Sequence, residues 1–316
     1  MAHNQIMTEP LAVTHTAAMS APGPTRFFNL SVVIGSLACN ARCPFCVSGM
    51  TPTSGMRSRL EPFDQSALAE VARFAANHGV DQVMLTGKGE PTLWPAEIDA
   101  CLSTIEPFNF PHVDLQTNGI LIANGVIAPD VLSRWRDRGL GLASISLVHY
   151  DPVRNREVYL PYRERYPSLA SIVDPIHAAG LAVRLALVMV AGYIEDAPAF
   201  ADFLSVAKSL GVEQVTARPV NRPSISRSDS IGAYVDGHTV SAAGLTRIAT
   251  YLSGSRVVSH LPGNGIVYDV NGISVCLATS LTHEGPGEVH RQLIAYPDGS
   301  VATSWESDAG PLFDVI

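Results

Sequence analysis

Short apolar runs alternate along this chain with longer segments whose apolar residues recur at the spacing of a helix. This alternation is typical of βα units that assemble into a parallel sheet. Six runs have the length of buried strands, and a helix-like segment follows each before the next. The runs are Leu30 to Gly35, Gln82 to Thr86, His112 to Thr117, Ala143 to Val148, Val183 to Val190 and Gln214 to Arg218. Six such units predict an α/β fold built as an incomplete (β/α)6 barrel.

The pattern changes beyond about residue 255, where paired apolar runs flank turn residues instead of helices. Asn271-Gly272 lies between two such runs and favours the tight turn of a β-hairpin. Pro297-Asp298-Gly299 lies between a second pair and predicts another hairpin. We therefore predict a TIM-like partial barrel with a small C-terminal β-rich extension. The predicted divisions are a loose N-terminal arm at 1–25, the barrel at 26–255, and an extension covering the active site at 256–316.

Composition and charge narrow the function. The apolar fraction of 47% and the charged fraction of 16% are those of a compact α/β enzyme. A net charge of −8 argues against a general nucleic-acid binder, which would carry a basic stripe. The apolar runs are too short to cross a bilayer, and the first residues carry no basic export signal. We expect a cytoplasmic enzyme that acts on a small molecule.

Three of the five cysteines, Cys39, Cys43 and Cys46, fall close together directly after the first predicted strand. Soft thiolate ligands at this spacing favour a metal site in a reducing compartment over a disulfide framework. A structural zinc site is the plainer interpretation, but zinc needs four protein ligands, and the next cysteine or histidine is His78. On a four-iron cluster, three cysteines would leave one iron open to a substrate or cofactor.

The C-x3-C-x2-C spacing, with Phe45 immediately before the last cysteine, resembles the radical S-adenosylmethionine (radical SAM) superfamily. The resemblance implies that the three cysteines hold one [4Fe-4S] cluster, that its open iron chelates SAM, and that Phe45 lies against the adenine. It also implies an oxygen-sensitive enzyme served by an electron donor such as flavodoxin or ferredoxin. Reductive cleavage of SAM would give a 5′-deoxyadenosyl radical, which takes hydrogen from the substrate.

After the second predicted strand, Gly87, Lys88, Gly89 and Glu90 form a segment similar to the G-G-E-P motif of the family. The glycines allow a ligand close to the backbone, and the carboxylate can pair with an ammonium group. The resemblance assigns both glycines and Glu90 to the amino group of SAM. Lys88 departs from the motif, and we predict that it contacts the substrate. A phosphate-binding loop is a weaker alternative, because the Walker pattern is absent and prolines interrupt the expected helix.

The third and fourth predicted strands end in polar residues that the resemblance places in the cofactor cleft. A T-N-G sequence closes the third strand, and period-two alternation puts two serines on one face of the fourth. His149 and Asp151 follow as predicted substrate contacts, with a structural role in the turn as an equal alternative. The residues assigned to the cofactor are Thr117, Asn118, Ser144 and Ser146, of which Ser146 is the expected ribose contact.

The fifth and sixth strands supply the remaining candidates. The fifth partly matches the adenine-contacting G-x-I-x-G-x-x-E motif, with Val188 in place of the first glycine, and the alternative is a plain buried strand with a glycine turn. Arg218 ends the sixth strand, and its guanidinium group is the predicted partner of the SAM carboxylate. Arg222, on the proline-broken segment beyond it, suits an anionic group of the substrate, unless that segment is a solvated loop. The matched positions of the fifth strand are Val190, Gly192 and Glu195.

We call the loop after the first predicted strand, which carries Cys39, Cys43 and Cys46, the cluster loop. Outside it only Cys101 and Cys276 remain, too few for a second cluster. Cys276 is the candidate hydrogen-atom donor that quenches a substrate radical, and the alternative is a small buried hydrophobe. We therefore predict a radical SAM enzyme that takes hydrogen from a small metabolite, an anionic one if the arginines bind it. The alternatives are a glycyl-radical activase or a peptide-modifying enzyme, with a docking face at 47–62, and a noncatalytic metal- or nucleotide-binding α/β protein.

Overall fold

The computed structural model describes residues 27–56, 63–160, 162–261, 265–278 and 292–312, so the predicted N-terminal arm lies outside the described residues. The strands in those ranges are β1 (Asn29–Val33), β2 (Gln82–Thr86), β3 (His112–Thr117), β4 (Leu142–Leu147), β5 (Ala182–Met189), β6 (Gln214–Pro219), β7 (Arg256–Leu261), β8 (Gly265–Val270), β9 (Ile273–Leu277), β10 (Gln292–Ala295) and β11 (Val301–Ala302). The helices are α1 (Gln65–Asn77), α2 (Pro95–Ile105), α3 (Ile120–Ala123), α4 (Pro129–Asp137), α5 (Pro152–Tyr159), α6 (Leu169–Ala178), α7 (Ala197–Ser209), α8 (Asp229–Gly237) and α9 (Ala242–Ser253).

All strands of the described residues join one sheet in the order β11-β10-β1-β2-β3-β4-β5-β6-β9-β8-β7. Strands β1 to β6 lie side by side and are parallel, with helices in the connections. The sheet is not closed, since β11 and β7 stand at its two ends. The predicted α/β class and the open parallel arrangement are therefore confirmed.

Both predicted hairpins form, and each also lengthens the parallel sheet. In the first, Asn271 and Gly272 take positive φ angles of 54° and 91° between antiparallel β8 and β9, as a tight hairpin turn requires. Strand β9 then pairs in parallel with β6, and β10 of the second hairpin pairs in parallel with β1. The sequence pattern missed β7, because all of its residues are exposed and carry no apolar alternation.

Local sequence signals explain where several helices begin. Asp64 accepts a hydrogen bond from Ala67 N and so caps α1, and Ser168 and Ser241 cap α6 and α9 in the same way. A side-chain acceptor at this position satisfies a backbone N–H that has no partner within the helix. These caps define the residues at which α1, α6 and α9 begin.

The two faces of the sheet differ in chemistry. Ala143, Ile145 and Leu147 of β4 are fully buried in the apolar core that packs against the helices. The opposite, interior face carries a polar network. In it, Arg184 Nη1 donates to Asp114 Oδ2 at 2.7 Å, and the neighbouring glutamines Gln82 and Gln214 bond to Asp114 and Arg184. Because these residues come from β2, β3, β5 and β6, the network ties the parallel strands together from within.

None of the helices in the described ranges has the length and apolar character needed to cross a membrane.

Candidate active site

A cavity of about 620 Å³ lies among the loops that follow β1 to β3 and the end of β4. In parallel barrels these carboxyl-end loops carry the chemistry, and the volume suits a cofactor-sized ligand. Of the residues predicted to act, the cavity lining includes Cys39, Cys43, Cys46, Gly87, Lys88, Gly89, Glu90, Thr117, Asn118 and Ser146. Four separate segments of the chain thus converge on one site.

The cluster loop carries all three cysteine thiols to this cavity. Ala41 N donates to Cys39 Sγ at 3.4 Å, and Cys46 N donates to Cys43 O at 3.2 Å. Burial raises the pKa of the Cys39 and Cys43 thiols, and the negative charge of Cys46 raises both further. A bound cationic centre would offset this cost of forming thiolates.

The described residues contain no group of three or more histidine, cysteine, aspartate or glutamate side chains placed to hold a single metal ion. Three cysteine thiols that line one cavity are donors of the type that hold an iron–sulfur cluster, with one iron left open.

Gly89 allows the loop after β2 to pack directly on the cluster loop. A Cβ atom at Gly89 would lie 2.1 Å from the carbonyl oxygen of Ala38, and Glu90 N donates to that same oxygen at 3.0 Å. A side chain at this position would force the two loops apart. Gly89 therefore has a loop-packing role besides the ligand contact predicted for it.

The Glu90 carboxylate joins the loops after β2 and β3. It is 3% exposed, and its Oε1 accepts from Thr92 N at 3.0 Å, from Thr92 Oγ1 at 2.6 Å and from Thr117 Oγ1 at 2.6 Å. Its Oε2 accepts from Asn118 N at 2.9 Å. A carboxylate oxygen with one donor can accept another, so Oε2 is able to receive an ammonium group from the cavity.

Lys88, the departure from the family motif, is a buried cation at the cavity wall. It is 4% exposed, its Nζ donates to Thr51 Oγ1 at 2.6 Å, and it lies 5.3 Å from the ring centroid of Trp305. No carboxylate of the described residues pairs with it. Burial lowers the pKa of Lys88 to about 8. A negative charge on Cys46 offsets part of this shift, and an anion bound beside Lys88 would stabilise its charged form further.

The segment after β11 connects the loops around the cavity. Besides the contact of Trp305 with Lys88, Asp308 accepts from Ser54 Oγ at 3.0 Å and pairs with Arg227 at 3.2 Å. Glu306 accepts from the backbone N of Ser224 at 3.0 Å. The C-terminal segment therefore contacts the cluster loop, the loop after β2 and the segment after β6.

Ser146, the predicted ribose contact, lines the cavity together with a residue that no motif marks. Its Oγ lies 2.7 Å from the hydroxyl oxygen of Tyr159 in α5. Burial raises the pKa of Tyr159 well above its ordinary value, so this side chain stays a neutral phenol.

Phe45, the predicted adenine contact, is outside the cavity lining. Its ring lies edge-on to that of Tyr159, with ring centroids 6.1 Å apart. Phe45 belongs with Val190 to a second apolar cluster.

The fifth-strand motif forms a closed turn outside the cavity lining. Gly192 N donates to Glu195 Oε2 at 2.9 Å, and Gly192 O accepts from Arg154 Nη2 at 2.6 Å. Val190 is fully buried. The adenine contacts assigned to these residues stay predictions.

The residues predicted to contact the substrate beyond β4 and β6 take part in local structure. His149 Nδ1 accepts from Asp151 N at 2.9 Å, and Asp151 caps α5 by accepting from Val153 N at 2.8 Å. Arg222 pairs with Asp236 at 2.6 Å. None of the three predicted residues lines the cavity, whereas Arg227 does.

Arg218 and Cys276 also lie away from the cavity lining. Cys276 is opposite Thr216 in the β6–β9 register, and Arg218 follows two residues later on β6. Burial lowers the pKa of Arg218, and its Nε is buried without a hydrogen-bond partner in the described part of the chain. Burial raises the pKa of Cys276, opposed by the positive charge of Arg218. Ser144 is likewise buried and outside the lining. The roles given to these three residues stay predictions.

The radical SAM superfamily pattern matches residues 33–204, over half of the chain. The chain therefore belongs to the radical SAM superfamily. It is an enzyme of the class that uses a [4Fe-4S] cluster and SAM, which confirms the predicted class and cofactors and excludes the noncatalytic alternative.

Curated relatives include the GTP 3′,8-cyclase of Alkaliphilus oremlandii, 24% identical over 194 residues, which span 59% of this chain and 55% of that protein. The probable GTP 3′,8-cyclase of Sulfolobus acidocaldarius is 33% identical over 122 residues, 38% of this chain and 34% of that protein. The chain thus matches about half or less of the length of these two relatives.

Solved structures show the same fold. SuiB of Streptococcus suis bound to S-adenosylmethionine superposes with a TM-score of 0.59 at 16% identity, covering 91% of this chain and 64% of SuiB. Native anSMEcpe with bound AdoMet gives a TM-score of 0.55 at 14% identity, covering 89% and 75% of the two chains. The predicted partial barrel is confirmed by this likeness.

Proposed function

We propose that this enzyme cleaves SAM reductively in the 620 Å³ cavity and takes a hydrogen atom from a small anionic metabolite. When bound, the [4Fe-4S] cluster supplies one electron to the sulfonium, which breaks the bond to C5′ and leaves methionine and a radical that abstracts hydrogen. The chain itself holds, orients and shields these groups.

The assignment of residues to SAM follows from the cavity lining. Cys39, Cys43 and Cys46 hold the cluster and leave one iron for the methionine end of SAM. The Oε2 atom of Glu90, which has acceptor capacity left, receives the ammonium group. Across the cavity, the Ser146 hydroxyl offers a hydrogen bond to the ribose.

The observation that carries the anionic substrate is Lys88. It is fixed by Thr51 and Trp305, faces the cavity, and has no carboxylate partner within the described residues. A carboxylate or phosphate of the substrate would pair directly with the Lys88 ammonium group. Arg227 lines the same cavity, where its charge acts on Lys88 and is itself paired with Asp308.

The C-terminal segment shields the site in this proposal. Trp305 lies over Lys88, and Asp308 holds Arg227 and the cluster loop through Ser54. Such a cover would keep water and oxygen from a radical formed beneath it.

The test uses anaerobically purified protein reconstituted with iron and sulfide, then mixed with SAM and dithionite. We expect 5′-deoxyadenosine, detected by chromatography, and none from Cys43→Ala. Candidate substrates are then added, and a small phosphorylated or carboxylated compound should increase 5′-deoxyadenosine formation where its neutral analogue does not. GTP belongs in this panel because of the names of the curated relatives. Stimulation by neutral compounds or by peptides alone would contradict the anionic metabolite.

A further inference from the structure

The interior of the barrel stays open along β5 and β6. Side chains on these strands alternate between the apolar core and the interior, and every interior-facing residue keeps part of its surface accessible. The outward-facing Leu185, Leu187 and Ala217 are fully buried in the core against the helices. Both strands have a neighbouring strand on each side, so the accessible surface lies inside the barrel. This interior space can hold a ligand.

The open interior adjoins the cavity of the candidate active site. Ser146 lines that cavity and pairs in register with Ala186. Ala186 pairs in turn with Thr216, and Thr216 pairs with Cys276. These residues form one layer across β4, β5, β6 and β9, because register partners on parallel strands face the same side of a sheet. All four side chains are small, so the layer leaves room between Ser146 and Cys276.

Arg218 lies next to this layer, towards the C-terminal end of β6. It follows Thr216 by two residues and therefore faces the same interior. Its Nε is buried without a hydrogen-bond partner, and no carboxylate of the described residues pairs with it. Arg73 and Arg247 also lack ion pairs, but both are exposed, where water solvates the charge. Only for a buried guanidinium does the missing partner indicate a ligand.

A second arginine in the same interior has its partners in place. Arg184 on β5 donates through Nη1 to Asp114 Oδ2 at 2.7 Å, and through Nε and Nη2 to Gln214 Oε1 at 2.9 and 2.6 Å. The positive charge of Arg184 also acts on Arg218. Within the described part of the barrel, Asp114 thus serves Arg184, and the charge of Arg218 is left for an anion from outside the chain.

This anion is distinct from the two already assigned. The resemblance gave Arg218 to the SAM carboxylate, but the proposed function places the methionine end of SAM beside the cluster and Glu90, in a cavity that Arg218 does not line. Lys88, assigned to an anionic group of the substrate, follows β2, which lies four strands away from β6 in the sheet. A second anionic group of the substrate is the partner that these positions leave for Arg218.

We propose that Arg218 binds a second carboxylate or phosphate group of the substrate in the barrel interior, beside Cys276. This inference rests on the proposed function, and it narrows the substrate to metabolites with two separate anionic groups. A guanidinium group presents paired N–H donors that match two oxygens of either anion. Binding there would place the adjoining part of the substrate next to the Cys276 thiol, across the open layer from Ser146.

The test uses the Cys276 thiol as a reporter of the site. Protein reconstituted with iron and sulfide is treated anaerobically with iodoacetamide, with and without orthophosphate at constant ionic strength, and peptide mass spectrometry follows the labelling of Cys276. The two rates are compared within each protein, because the charge of Arg218 also acts on the thiol. A parallel series replaces orthophosphate with SAM.

Four variants accompany the wild type. Arg218→Met removes the charge and should fold, since it removes a buried cation without a partner. Arg218→Gln is a second neutral variant, and Arg218→Lys keeps the charge. Arg247→Met is the matched control, because Arg247 is an exposed arginine on α9. Circular dichroism and iron content are measured for each protein.

Orthophosphate at about 10 mM, tenfold above a Kd of about 1 mM for one buried guanidinium, should slow Cys276 labelling about tenfold in the wild type. Arg247→Met should behave as the wild type, and Arg218→Lys should keep part of the protection. Protection should fall below about twofold in Arg218→Met and Arg218→Gln. In the substrate panel, compounds with two anionic groups should stimulate 5′-deoxyadenosine formation more than singly anionic analogues, and the neutral variants should lose this preference.

Orthophosphate protection that is absent from the wild type, or that persists in the folded neutral variants, would overturn the site. Protection by SAM but not by orthophosphate, lost in Arg218→Met, would overturn it in favour of the SAM carboxylate. A Cys276 thiol that iodoacetamide labels in none of the proteins would show a closed interior and overturn it as well. Failure of the wild type to bind iron or to cleave SAM would instead count against the proposed function, since protection of Cys276 by orthophosphate does not require cleavage.

Discussion

Replacing Glu90 with glutamine should weaken both the fold and SAM binding. The carboxylate accepts four hydrogen bonds while 3% exposed, from Thr92, Thr117 and the backbone of Asn118. A glutamine side chain has nearly the same shape but a single accepting oxygen, and its NH2 group is a donor. If the amide oxygen keeps the three bonds of Oε1, the NH2 group faces the N–H of Asn118.

The expected loss of stability follows from those bonds. A buried donor left without an acceptor costs roughly 1–3 kcal/mol, and bonds to a neutral acceptor are weaker than bonds to a charged one by about 1 kcal/mol each. Allowing for relaxation of the loops, we expect Glu90→Gln to lower the free energy of unfolding by about 2–4 kcal/mol. Loss of the charge facing the SAM ammonium should also weaken SAM binding about tenfold or more.

Urea unfolding of the metal-free protein, followed by circular dichroism, measures the first effect, and equilibrium binding of SAM to the reconstituted protein measures the second. Glu164→Gln is the matched control, because Glu164 is exposed and its substitution should change stability by less than about 0.5 kcal/mol. A urea midpoint for Glu90→Gln equal to that of the control would refute the structural role. Unchanged SAM affinity would refute the ligand role.

Three further outcomes are expected. Cys43→Ala should lose both iron binding and 5′-deoxyadenosine formation. Iron content equal to that of the wild type, together with retained cleavage of SAM, would show that Cys43 is not a ligand. Because burial lowers the pKa of Lys88 to about 8, its ammonium is charged below that pH, so the affinity for an anionic compound that stimulates 5′-deoxyadenosine formation should fall about tenfold per pH unit above it. Lys88→Arg should remove this dependence in a binding titration from pH 7 to 9.5, roughly, and a dependence that persists would point to another group. Cys276→Ala should still form 5′-deoxyadenosine but stall before product, and normal product yield by mass spectrometry would exclude Cys276 as the hydrogen donor.

The sequence alone determined the first six strands, the two C-terminal hairpin turns and the position of three cysteines on one loop. Two of the six predicted strands, β2 and β3, have the observed bounds, and the other four differ from the observed bounds by one or two residues at an end. These features depend on neighbours in the chain: a buried strand needs a continuous apolar run, a tight hairpin turn needs residues that adopt positive φ, and three cluster ligands on one loop need fixed spacing.

The tertiary structure decided how the sheet ends. Both C-terminal hairpins were predictable from Asn271-Gly272 and Pro297-Asp298-Gly299, but no local signal says that β9 lies beside β6 and β10 beside β1. Such pairing depends on which edges of the sheet remain open after the chain has folded, and a hairpin pattern is the same at any edge.

Tertiary structure also decided the environment of the site residues. Trp305 approaches Lys88 across more than two hundred residues of sequence, and the Tyr162 hydroxyl donates to the backbone oxygen of Asn40 across more than one hundred. Lys88 was visible in the sequence as a departure from a motif, but its burial against Thr51 became visible only in the fold. Local sequence fixes residue type and spacing, whereas burial and charge balance depend on every segment packed around a residue.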